Sequence, residues 1–283
     1  ETHRPFPEVS QAHSRYCLPP EPLPDTAETR ADMAGFKVLA MRLDEKIGQI
    51  IEALRRNKFL GKTLIICTTD HGPAFPRMKC TLYDGGIRVM LIIHGPDIFS
   101  GGKVVNGLVS QVDIFPTLGQ YLSLPLPDWL AGVSFLPLLT GQSAVREEVF
   151  AEINYHAAYE PGRCIRTTRY KYIKRYHDHL TPVLPNTDRG LAKLLWLKHG
   201  WKEERIPREE LYDLIFDPNE KNNLVHSVEF SQIINQLRKK MEEWMKQTDD
   251  PLITGDIPLP ATARLNPQDG MDPDEPTLEA GKR

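Results

Sequence analysis

The sequence predicts an α/β layer in its first half and a small α+β region with an antiparallel sheet in its second. Three observations carry this. Leu64-Ile65-Ile66-Cys67 is a short continuous apolar run, the mark of a strand buried on both faces. Before it, Met33, Phe36, Leu39, Leu43, Ile47, Ile50, Ile51 and Leu54 recur at three- and four-residue steps, which is one apolar stripe of a long helix. After residue 148 the period shortens to the strand-like runs Val149 to Ile153, Arg163 to Thr168, Tyr170 to Tyr176 and Glu210 to Leu214. A second amphipathic stripe follows in Phe230, Ile233, Ile234, Leu237, Met241, Trp244 and Met245.

Taken in order, residues 1–27 are rich in proline and polar residues and read as a loop. A helix is expected over 28–58, opened by Asp25 and Glu28 at the spacing of a capping box, with its stripe as core. Gly61 ends a turn, a strand follows at 63–69, and a second at 87–94 carries Val89, Leu91, Ile92 and Ile93, with His94 at its end. Pro125, Pro127, Pro137 and Gly141 break the stretch 125–147 and mark a seam. The expected organisation is therefore 1–140 as part of an α/β domain, 141–259 as the α+β subdomain, and 260–283 as an extended tail too rich in Pro, Asp, Gly and Thr to bury much.

With 283 residues, 40% hydrophobic and 26% charged, the chain can bury a sizeable core. A net charge of -3 gives no general attraction to nucleic acid or an anionic membrane, so nucleic acid is excluded as a partner and anion binding must be local. Four cysteines without a Cys-x-x-Cys pair argue against a structural zinc site or a disulfide scaffold, and Cys67 reads as a small core residue. No run of 18 apolar residues is present, so no membrane span is expected.

The chemistry concentrates in Thr68-Thr69-Asp70-His71-Gly72, followed by Lys79 and by Leu82-Tyr83-Asp84-Gly85-Gly86-Ile87-Arg88-Val89. Open parallel sheets place ligands beyond strand C-termini, and Asp70 and His71 sit there. A carboxylate beside an imidazole can hold a cation, while Lys79 offers a compact positive charge to an anion, a set suited to hydrolysis of a charged ester. Alone, Asp-His-Gly also reads as a capped turn.

The longer run resembles the sulfatase family of the alkaline phosphatase superfamily. So do Thr2-His3-Arg4-Pro5-Phe6, Val109-Ser110-Gln111-Val112-Asp113-Ile114-Phe115-Pro116-Thr117-Leu118, Glu210-Leu211-Tyr212-Asp213-Leu214 and Asp217-Pro218-Asn219-Glu220-Lys221-Asn222-Asn223-Leu224. The short Asp70-to-Lys79 spacing, Pro73-Ala74-Phe75-Pro76, Arg163-Cys164-Ile165-Arg166-Thr167 and Trp244-Met245-Lys246-Gln247-Thr248-Asp249-Asp250-Pro251 are similar to its heparan N-sulfatase branch.

This resemblance implies an alkaline phosphatase-like sandwich, here an incomplete central mixed sheet with helices, and hydrolysis of a sulfate ester or sulfamate on a saccharide such as N-sulfoglucosamine. It implies Asp70 and His71 as ligands of a divalent metal, calcium rather than zinc. His71 stands where many members have asparagine, and its alternative role is a hydrogen bond to the sulfuryl group or nucleophile. Lys79 would grip the sulfuryl oxygens and His3 would contact the same group or protonate the leaving atom. His156 and Arg163 would meet the sugar. Arg169, Lys171, Lys174 and Arg175 read as the solvated face of a strand, and Arg88 as pairing with a carboxylate such as Asp84.

The family's formylglycine motif, Cys/Ser-x-Pro-x-Arg, and its pair of N-terminal Asp ligands are not found. Cys17-Leu18-Pro19-Pro20-Glu21 has Glu where Arg is required. Both are therefore expected on a missing N-terminal half, and the chain alone is expected to be inactive. An extracytoplasmic location (periplasmic, secreted or lysosomal) and room for a homodimer also come from the resemblance. Two other readings stay open: a phosphodiesterase or phosphomonoesterase of the same superfamily, with paired zinc and a Ser or Thr nucleophile, and a non-catalytic sugar-binding fragment.

Overall fold

In the computed structural model, which describes residues 2–279, the first apolar stripe forms a helix of 30 residues. Glu1 and residues 280–283, the end of the expected tail, lie outside the described residues. A short helix α1 (Gln11–Ser14) precedes the long one, α2 (Ala27–Arg56). The capping box is not the Asp25/Glu28 pair. Thr26 accepts from the Thr29 amide and the Thr29 hydroxyl accepts from the Thr26 amide, while Asp25 pairs with Arg30. The stripe was expected to be core throughout, but full burial is confined to Thr29, Asp32, Ala34 and Gly35, and Ile50 is exposed. The helix that packs over α2, α6 (Leu191–Lys198), meets its first turns, where Met33 and Phe36 face Ala192 and Trp196.

Strand β1 (Ile65–Thr68) pairs antiparallel with β2 (Leu91–His94), Ile65 lying opposite His94 and Thr68 opposite Leu91. The second strand starts later than expected because Asp84–Ile87 forms a helical turn, α3. β1 is half-buried rather than covered on both faces, since β2 is its one sheet neighbour among the described residues. Behind this pair, α4 (Ile114–Tyr121) and α5 (Leu136–Leu139) close a small core of Phe99, Phe135 and Leu138 with Leu64 and Ile93.

The second half forms the antiparallel sheet that the short periods predict, β3 (Glu148–Tyr155), β4 (Tyr159–Thr167), β5 (Tyr170–Arg175) and β6 (Glu209–Asp213), in that spatial order. Successive side chains point to opposite faces, and here both faces are covered. Ile165, Tyr172 and Leu211 pack on Ile234, Leu237, Met241 and Met245 of α7 (Ser231–Gln247). Their neighbours Cys164, Ile173 and Tyr212 pack on Leu82, Tyr83 and Ile87.

Double coverage overturns the solvated-face reading for Lys171 and Arg175, while Arg169 stays exposed and Lys174 half-buried. Lys171 is fully buried between Asp84 (2.5 Å) and Glu220 (2.8 Å), Arg175 binds Glu210 at 2.6 Å, and Arg169 binds Asp213 at 2.8 Å. Asp84 also takes Arg166, so Arg88 is left exposed at the surface. The tail closes on itself as β7 (Arg264–Leu265) with β8 (Leu278–Glu279), and lies against the β3–β4 turn through Asn266 and Ala157.

A fourth apolar cluster, Leu23, Phe75, Met78 and Ala192 with Phe6 and Phe36, surrounds the bidentate pair of Arg4 and Asp32, at 2.8 and 2.7 Å. Arg4 also donates to Ala74 O, and Asp32 accepts from the Ala192 amide, both at 2.9 Å. The side chains are 8% and 4% exposed, so removing one partner strands a charge in the interior. Asp32→Ala is expected to cost about 3–5 kcal/mol, read as a lower urea midpoint with unchanged slope.

Candidate active site

Asp70, His71 and Gly72 follow β1 directly, and their loop is docked from both sides. Gly72 N–H donates to Gly86 O at 2.9 Å, and a Cβ at Gly72 would stand 1.8 Å from Gly85 O, so no other residue fits this approach. Gln111 donates to Thr69 O at 2.5 Å. The Gly85-Gly86 turn is fixed in turn by Asp84. Burial opposes its ionisation, but hydrogen bonds from Arg166 and Lys171 hold its carboxyl below the ordinary value. The Leu82 to Val89 run thus supports the loop and does not meet a ligand through Arg88.

Asp70 projects outward, its side chain 87% exposed, with Oδ2 3.4 Å from His71 Nε2. His71 Nδ1 donates to Gly72 O at 2.7 Å, which leaves Nε2 as the free acceptor, the arrangement typical of a metal-binding imidazole. These are two donors, and calcium takes six to eight oxygens. Among the described residues no group of three or more His, Cys, Asp or Glu side chains can hold a metal ion. Asp70 and His71 are thus two adjacent donors that no third side chain of this kind joins among the described residues.

Lys79 is 4% exposed, and its ammonium lies between Asp188 Oδ2 (2.8 Å) and His3 Nε2 (3.3 Å). His3 Nδ1 donates to Arg4 O at 2.9 Å, so Nε2 is the atom turned to Lys79. The Arg4–Asp32 pair sets this geometry, because it holds the residue after His3 and the loop before Lys79.

His156 is exposed in the turn between β3 and β4. Asn186 fixes that turn by accepting from the Ala157 and Ala158 amides at 2.9 and 2.8 Å. Partial burial, then Lys79, lower the pKa of its ring below 6.5; His71 and His3 add to the lowering, and Asp188 opposes it. His156 thus lies within electrostatic range of Lys79, Asp188, His71 and His3, which places these side chains in one neighbourhood of the molecule.

Arg163 does not reach that neighbourhood. It is 1% exposed, with Nε and Nη2 on Asp250 at 2.5 and 3.0 Å and Nη1 donating to Ile153 O, Asn154 Oδ1 and Gly162 O. Its burial closes it to a sugar, so the expected substrate contact is a structural pin between β4 and the residues after α7. Asp188, Asn186 and Lys193 were not foreseen. Lys193 is buried and donates to Leu184 O (3.0 Å) and Thr187 O (2.8 Å), holding the segment that presents Asp188.

Two of the cysteines are held as thiols by burial. Burial pushes the thiols of Cys80 and Cys164 up to about 12, and Cys17 follows α1 in the loop that lacks the required Arg. Behind Cys80 a cavity of about 270 Å³ is lined by Glu160, Asn186, Arg175 and Glu210. Burial raises the Glu160 carboxyl to about 7.

The family model described as Sulfatase matches residues 9–124, and that described as N-sulphoglucosamine sulphohydrolase, C-terminal, matches residues 77–184. The chain is 28% identical over 276 residues to an ulvan-active sulfatase of Formosa agariphila, an alignment covering 92% of this chain and 45% of the relative. It is 27% identical over 262 residues to N-sulphoglucosamine sulphohydrolase of Homo sapiens, covering 83% and 52%. A protein solved in complex with its substrate, D-glucosamine-2-N,6-O-disulfate, superposes with a TM-score of 0.61 at 24% identity, covering 80% of this chain and 42% of that one, a likeness of fold. The chain spans about half the length of the curated relatives it matches.

The His156 ring is expected to titrate below 6.5 by NMR, and Lys79→Met to move the midpoint back up. A folded-state pKa below the unfolded value means that this ring costs stability only as pH falls below 6.5. An unchanged midpoint in the variant would separate Lys79 from His156. Arg163→Ala is expected to lower stability by about 3–5 kcal/mol in thermal or urea unfolding, while leaving the His156 titration in place.

Proposed function

Because the chain belongs to the sulfatase family, we propose that it supplies the sulfuryl-binding wall of a metal-dependent sulfatase acting on a sulfated saccharide. The observation that carries this reading is Lys79, buried to 4% exposure yet presenting its ammonium within 3.3 Å of His3 Nε2. A buried ammonium is costly without a counter-charge, and Asp188 provides one. What remains of its donor capacity suits the oxygens of a sulfuryl group.

In this reading Lys79 binds those oxygens and stabilises the charge that builds on them as the S–O or S–N bond breaks, in the manner of an oxyanion hole. His3 Nε2, beside Lys79, holds or delivers the proton that the departing oxygen or nitrogen needs. His156, with its pKa lowered toward the neutral form, offers hydrogen bonds to sugar hydroxyls without adding charge. Asp70 and His71 would hold one side of the metal, probed first with calcium, together with ligands from outside the described residues. When bound, such an ion would add positive charge beside the sulfuryl group. The nucleophile is assigned to a formylglycine on a further segment, since Cys17-Leu18-Pro19-Pro20-Glu21 has Glu where the motif requires Arg.

Relatives acting on sulfated saccharides support the substrate class, and N-sulfoglucosamine is the narrower choice. An extracytoplasmic location belongs to the same proposal. Among the described residues no helix is long and apolar enough to cross a membrane.

With the nucleophile segment joined to this chain, hydrolysis of N-sulfated or O-sulfated glucosamine is expected, and Lys79→Ala should lower kcat/KM by about 10²–10³-fold. Full activity in that variant would remove Lys79 from the mechanism. Turnover of phosphate esters with none of any sulfated sugar would overturn the sulfatase reading.

A further inference from the structure

Asp188 compensates the buried Lys79 ammonium, yet it also sets a carboxylate beside a site proposed to bind an anion. Its Oδ2 accepts from Lys79 at 2.8 Å and so weakens the pull of that ammonium on a sulfuryl group. Acting as the counter-charge of Lys79 uses Oδ2 and leaves the second carboxylate oxygen to be accounted for. The surroundings fix this carboxylate with some care. Asn186 anchors the segment to the β3–β4 turn, and Lys193 binds Leu184 O and Thr187 O. Gly190 passes Arg4 so closely that a Cβ there would lie 2.1 Å from Nη1. The side chain keeps 17% exposure, and Oδ1 accepts from no protein donor among the described residues.

A sulfuryl oxygen seated on Lys79 would lie within two hydrogen-bond lengths of Asp188, at most about 6 Å. Substituents on adjacent ring carbons fall within that span.

Building on the sulfatase reading, we propose that Asp188 is a specificity-determining residue. Its Oδ1 accepts a hydrogen bond from a hydroxyl or N–H on the carbon next to the sulfated position, and its charge excludes substrates with a second sulfate there. Lys79 grips the anion, and Asp188 tests whether the neighbouring substituent is a donor.

The test is a binding comparison by NMR titration with two probes, glucosamine N-sulfate and glucosamine N-sulfate carrying a further sulfate on the adjacent 3-oxygen, in calcium buffer. The wild-type chain is expected to prefer the first by roughly tenfold or more. Asp188→Asn should bring the ratio to about twofold or less, chiefly by improved binding of the disulfate, and Asp188→Glu should restore the preference. If Asp188 merely positions Lys79, both affinities fall together in Asp188→Asn and the ratio holds, which overturns the inference while leaving the sulfatase reading intact. Equal affinities in the wild type overturn it without any variant. Failure of the wild type to bind either sugar overturns both readings.

Discussion

The buried pair of Arg4 and Asp32 is the constraint on which the site depends. One guanidinium and one carboxylate join four separate stretches: the segment carrying His3, the start of α2, the Ala74 loop leading to Lys79, and α6 behind Asp188. Aromatic packing completes the enclosure, with Arg4 lying 4.0 Å from the Phe6 ring centroid and 5.2 Å from that of Phe75. Hydrophobic residues of similar volume can match such a pair in stability, but they would not fix direction as two parallel hydrogen bonds do. Here direction is what the site needs, because His3, Lys79 and Asp188 each sit within a few residues of a group this pair holds.

Much of the remaining polar interior supports backbone. Glu210 accepts from Tyr83, Tyr212 and Arg175. Asp217 accepts from the Lys221 and Asn222 amides, and Asn223 from the Leu211 amide. Asp113 takes the Ser110 and Val133 amides and pairs with Arg146. These residues fall in the stretches that most resemble the sulfatase pattern, so a large part of that pattern encodes turns, register and buried charge. The residues left to meet a ligand are few, and they are carried on loops that the network holds still.

This division explains what could be read in advance. The strands after residue 148 and helix α7 were legible because their apolar periods match their geometry, and an ordered motif singled out Asp70, His71 and Lys79 as candidates. Burial of α2 was overestimated because periodicity reports that a face is apolar and not that something covers it. Arg163 was misplaced because its partner Asp250 lies 87 residues away, a distance at which sequence gives no hint of charge pairing. Asp188 left no local signal at all. It follows a 3-10 turn whose position depends on Lys193, Asn186 and Arg4, and an aspartate in such a stretch looks like any loop residue.

The length of α2 has a mechanical consequence. It is seated through its first turns, while the rest extends about 36 Å beyond Asp32, so it acts as a cantilever clamped at one end. A tilt of about 5° at the clamp would sweep its far tip through about 3 Å. That tip feeds into β1, yet the Asp70 loop at the other end of β1 is moored to Gly86. The Asp70 loop thus takes its position from the Gly86 contact as well as from the strand that leads to it.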